Sequence, residues 1–200
     1  MNRSVHIIGL AILAISLTMP TNGCGGNNPS SVKNFSCLES KNPAQILPGT
    51  PNIQMRTSRC EDYIFKISKM SAALHIFVPQ YAKRFNLDEH VVWSYLENLQ
   101  IEVSAIPKIV TSAYDVKGNL VKDSPVSGLA LSPSSIWVEI RTSQIWTSSL
   151  AHELVHVIIW NQNAGIHGDP DHEGKSYSGW SQRHTQFIKD FNLELLDQDI

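Results

Sequence analysis

His152, Glu153 and His156 stand together in the run SSLAHELVHVIIW, residues 148–160. Histidines four apart lie on one face of a helix, so two imidazole nitrogens can reach a single metal ion. Glu153 is one step round, near enough to touch a water on that ion without being a ligand. Zinc lowers the pKa of such a water from about 15.7 to about 7, and a carboxylate can take its proton as it attacks a carbonyl. Leu150, Ala151, Leu154, Val155, Val157, Ile158 and Ile159 carry no charge, and a helix apolar nearly all round is a buried one. Ionisable groups in such a helix need compensation, which a divalent cation supplies. The competing reading is a helix whose histidines hydrogen-bond within the core.

Two imidazoles do not complete a zinc site; a catalytic centre takes a third protein ligand and leaves the fourth position to water. After the terminator Asn163-Ala164-Gly165 the chain reads HGDPDHEG, which holds His167, Asp169, Asp171, His172 and Glu173. His167 precedes the Gly168-Asp169-Pro170 turn that would bring the chain round. Asp169 and Asp171 suit turn formation and hydrogen bonds to ligand imidazoles. Tyr177, close in sequence, is a candidate oxyanion stabiliser.

The run from Ser149 to Ile158 resembles the active-site helix of zincin metallopeptidases, whose pattern wants uncharged residues around the histidines. The resemblance spans Ser135 to Trp180. It implies a small mixed sheet with an active-site helix and flanking helices, Zn²⁺ as cofactor and Glu153 as general base. It also implies a strand forming the upper edge of a cleft, where a substrate chain adds by backbone hydrogen bonds. SSIWVEIR, just before the helix, is placed to be that strand. The metzincin continuation is absent, as is the Asn-Glu-x-x-Glu helix of the thermolysin-like group. The stretch is similar instead to small bacterial lipoproteins in which an HExxH helix is followed by Trp, here Trp160, and a Gly-Asp-x-Asp-His segment. That similarity selects His172 as third ligand beside His152 and His156, with Asp169, Asp171, His167 and Glu173 as alternatives.

These residues need a scaffold. Ile64, Ile67, Met70, Leu74, Phe77 and Tyr81 recur at helical spacing, with Pro79 kinking or splitting the segment. NLDEHVVWSYLENL is a second amphipathic helix, with acids early. His75 and His90 in these helices read as surface or core-edge residues. From Ile101 to Arg141 the chain is β-branched and broken by turn signals at Lys117-Gly118-Asn119 and Ser132-Pro133-Ser134, giving several short strands, the last Ser135 to Arg141. Trp180, His184, Phe187, Ile188 and Phe191 share one face of a last helix, with His184 as a buried, hydrogen-bonded residue. Cys37 to Arg59 is rich in Pro, Asn and Gly and reads as an irregular lead-in. Helices, strands, then helices make the chain α+β.

The N-terminal residues are expected outside the fold. Arg3 precedes an apolar run, Ile7 to Met19, with the layout of a secretory signal. The closing TNGC resembles a bacterial lipobox, departing at Thr21, and implies a signal peptide 1–23 and a lipidated Cys24. Residues 24–36 then form a flexible tether, and 37–200 the hydrolase domain. With Cys24 lipidated, Cys37 and Cys60 remain as an even pair for a disulfide in an oxidising compartment. The 200 residues suit one domain, and a net charge of −2 gives no footing for nucleic acid. The expectation is a zinc-dependent, lipid-anchored metallopeptidase acting on peptide or protein, exported and held on a bacterial membrane, the outer one given Gly25 after Cys24. The alternative is a non-catalytic metal-binding or structural lipoprotein, for which Glu153 would have no use.

Overall fold

The computed structural model describes residues 32–33, 42–57, 67–105, 108–114, 120–141, 144–162 and 179–200. The signal segment, Cys24, Cys37, Cys60, the 167–173 ligand candidates and Tyr177 lie outside the described residues. Among the described residues no helix is long and apolar enough to cross a membrane.

The fold is α+β, built on a five-stranded mixed sheet. Its strands are β2 (Gln45–Ile46), β3 (Gln54–Thr57), β4 (Gln100–Ser104), β7 (Gly128–Ser132) and β8 (Ser135–Glu139), in the order β2-β3-β4-β8-β7. The three middle strands are parallel, and both outer strands run against them. β1 (Val32–Lys33), β5 (Lys108–Tyr114) and β6 (Leu120–Val126) make a second, antiparallel sheet. β1 falls within the segment read as a tether and pairs with Val110 and Ile109. Residues 45–46 and 54–57, read as irregular, are strands of the main sheet.

Side chains alternate across a strand, and that alternation divides the sheet's two faces. Met55, Ile101, Ile136 and Ala130 are paired in one row across the strands, and all four belong to the main core. Onto this face pack α1 (Ile67–Phe85), α2 (Glu89–Tyr95), α3 (Leu150–Gln162) and α4 (Gln182–Asp197). α1 runs unbroken through Pro79. α2 starts at Asp88, whose carboxylate accepts the His90 N–H at 2.7 Å; His75 and His90 are both exposed. α4 closes the core with Phe187, Phe191 and Leu195. On the opposite face Trp137, fully buried, packs with Leu129 and Val126.

The strand before the helix that bears the HExxH residues departs from expectation. SSIWVEIR forms β8, but β8 is paired on both sides, by β4 and by β7. Among the described residues, the unpaired edge beside the helix belongs to β7. The near-continuous burial of Ile136, Trp137, Val138 and Glu139 is that of a strand covered on both faces.

Candidate active site

α3 is buried on almost every side: Leu150, Ala151 and each residue from Glu153 to Ile159 are inaccessible or nearly so. It lies between the sheet, α2 and α4. Its start is set by Ser148, whose hydroxyl accepts the Leu150 N–H at 3.2 Å. Near its end the Asn161 amide donates to the carbonyls of Tyr95 (2.8 Å) and Pro133 (2.9 Å). The helix is thereby tied to both α2 and the β7–β8 turn.

On this helix the two Nε2 atoms of His152 and His156 come within 3.1 Å of each other. His152 is half-buried and His156 is 2% exposed. Tetrahedral zinc with Zn–N bonds of about 2.0–2.1 Å holds neighbouring nitrogens roughly 3.3 Å apart. The 3.1 Å separation is close to that spacing and is equally the length of a hydrogen bond between the two rings. Among the described residues, no group of three His, Cys, Asp or Glu side chains is arranged to hold a metal. The third donor expected from 167–173 lies outside them.

Glu153 is fully buried. Its carboxyl lies against β7 at Gly128: a Cβ built there would fall 2.8 Å from Glu153 Cδ, and closer still to its Oε1 and to Ser149 Oγ. Only a residue without a side chain lets the carboxylate approach the strand so closely. Gly128 is paired with Val138 on the helix-facing row, which puts Glu153 between the histidines' helix and the sheet's free edge.

Trp180, read from the sequence as part of the last helix, precedes α4 and packs on the imidazoles. Its ring lies 5.0 Å from His152 and 4.8 Å from His156, centroid to centroid. Its indole N–H donates to Thr185 Oγ1 at 3.2 Å. Beyond it His184 is stacked on Phe85 at 4.2 Å and is 7% exposed. His184 Nδ1 accepts the Ser181 N–H at 3.1 Å, closing a capping box at the start of α4. Burial first, and then the neighbouring Arg183 charge, lower its pKa to about 4. Its ring is neutral at pH 7.

Gly128 and the Ser149 hydroxyl went unassigned in the sequence because their contacts depend on which strand borders the helix, and Trp180 was assigned only to the face of the last helix. Ser149 alone left a signal, as a hydroxyl three residues before the first histidine. No family model matches the chain, nor does any curated protein or solved structure.

Proposed function

We propose that this chain is a zinc-dependent hydrolase of the zincin type, most simply a metallopeptidase. The observation that carries the reading is the meeting of His152 and His156 at one point, on the same helix as a Glu153 carboxyl buried against β7 at Gly128. The order of the main sheet supports it, since an antiparallel edge strand, β7, borders the helix that bears the motif.

In this reading His152, His156 and His172 would hold Zn²⁺. When bound, zinc supplies Lewis acidity, polarising a carbonyl and making water acidic near neutral pH. Glu153 takes the proton of the attacking water and passes it to the leaving amine. Its burial keeps bulk water from competing for the carboxylate. Trp180 limits the freedom of both imidazoles. The edge of β7 offers backbone groups along which an extended peptide can lie. Cys24 would carry lipid, placing the domain at the surface of a membrane.

The test compares metal content and cleavage of a mixed peptide library for wild type and Glu153→Gln. Stoichiometric zinc in both, with hydrolysis only in the wild type, is the expected result. Zinc without hydrolysis in either would favour the non-catalytic lipoprotein, and absence of zinc would remove the reading. Detergent partitioning of wild type against Cys24→Ala checks the anchor separately.

A further inference from the structure

Ser127 is the single residue between β6 and β7, and four polar contacts converge on it or on its partner. Its carbonyl accepts the Glu139 N–H at 2.8 Å and the Ser149 hydroxyl at 2.6 Å. Its own hydroxyl donates to Glu139 Oε2 at 2.8 Å. The other oxygen of Glu139 accepts from Arg141 Nε at 2.5 Å. Glu139 is thus a buried carboxylate, 5% exposed, bonded at both oxygens and balanced by a guanidinium that remains in solvent. Such a charge-assisted chain is stiff.

Ser149 is the point at which this chain reaches the helix. It directly precedes α3, and its carbonyl accepts the Glu153 N–H at 3.1 Å. Its hydroxyl is committed as a donor to the sheet, while capping of the helix falls to Ser148. Ser149 Oγ and the Glu153 carboxyl crowd the same point above Gly128.

We infer that Ser149, braced by Ser127 and Glu139, is a positioning residue that sets how far the Glu153 carboxylate stands from the sheet edge. The inference rests on Glu153 being the general base. A displacement of about 1 Å at a reacting group can cost on the order of a hundredfold in rate. The hydroxyl bond therefore acts on turnover far more than on metal binding, which depends on the histidine face of the helix.

The experiment uses the full chain as wild type, Ser149→Ala and Ser149→Thr, with Glu139→Gln as a second probe should Ser149→Ala fail to fold. Steady-state kinetics and competitive zinc titration are measured on loaded protein. The nuclear Overhauser effect between Gly128 Hα and the Glu153 Hγ protons is measured on metal-free protein. In Ser149→Ala, kcat should fall about tenfold or more, with KM and zinc affinity within about twofold of wild type. The metal-free contact should weaken, and Ser149→Thr should restore both readouts. Glu139→Gln should shift both in the same direction. Unchanged kcat and an unchanged contact overturn the inference, as does a loss of zinc that parallels the loss of rate. If the wild type proves inactive, the parent reading fails, while the metal-free contact still decides whether Ser149 holds Glu153 in place.

Discussion

The indole of Trp180 lies 4.8 Å from the imidazole of His156, tilted by 36°, and is itself only 4% exposed. A buried aromatic in that position reports on whatever the imidazole binds. Loading with Co²⁺ in place of Zn²⁺ is expected to quench part of the tryptophan emission. Trp180→Phe should remove that quenching while leaving metal affinity within a few-fold. His156→Ala should abolish both metal and quenching. Equal quenching in Trp180→Phe would place the metal away from this ring.

Gly128→Ala separates two opposed effects. Its φ is not positive, unlike Gly49 and Gly179, so the backbone itself accepts alanine, and reduced chain entropy would stabilise by about 0.4–1 kcal/mol. Against this, the new methyl overlaps Ser149 and Glu153, and overpacking costs roughly 1–3 kcal/mol. The overlap wins, because Ser149 Oγ is tied to the Ser127 carbonyl and the Glu153 carboxyl is fully buried. Thermal unfolding should show a lower midpoint, and hydrolysis should fall by more than the fraction unfolded explains. A raised midpoint with full activity would contradict it.

Metal retention in single alanine variants at His167, Asp169, Asp171, His172 and Glu173 identifies the third ligand. His172→Ala should weaken zinc binding by more than about a hundredfold. A carboxylate supporting an imidazole from behind costs about ten- to a hundredfold. Wild-type affinity in His172→Ala would transfer the role to a neighbour in the same segment and leave the histidine pair standing.

His184 predicts an acid limb in stability. In the folded chain it takes up a proton only near pH 4, whereas the unfolded side chain does so at about 6.5. Between those values the unfolded state binds more protons, so stability is present above about pH 6.5 and is lost as pH falls toward 4. The expected loss is of the order of 1–3 kcal/mol, reduced by whatever solvent reaches the ring edge. His184→Gln keeps an acceptor for the Ser181 N–H and removes the titration. Urea unfolding at pH 7 and pH 5 should show a smaller difference in the variant than in the wild type. Equal slopes would show that the ring is not kept neutral by burial.

Legibility varied with how local the physics was. The pair His152 and His156 could be read because one turn of helix decides their neighbourhood. α1 and α4 could be read because Leu74, Phe77 and Tyr81, or Phe187 and Phe191, repeat at the helical period. β2 and β3 escaped because QI and QMRT are short, polar and set among Pro and Gly; the pairing of β3 with β4 and of β2 with β3, not propensity, makes them strands. The edge was assigned to β8 instead of β7 although IWVEI is apolar at consecutive positions, a mark of an inner strand. Gly128 and Trp180 took their meaning only from what the fold places opposite them.

The parallel pairing of β3 with β4 has a kinetic consequence. Antiparallel neighbours can zip from a tight turn, but this pair is separated by the whole of α1 and α2, so its loop must close before its ladder forms. Synthesis delivers the chain from its N-terminus, so residues 42–57 emerge well before their partner strand. β3, paired only with β2, waits with its other edge unsatisfied, a state in which strands pair with the wrong neighbour. Sheets closed by such distant contacts assemble in milliseconds to seconds, not microseconds. The crossover thus governs the tempo of assembly and the window for misassociation.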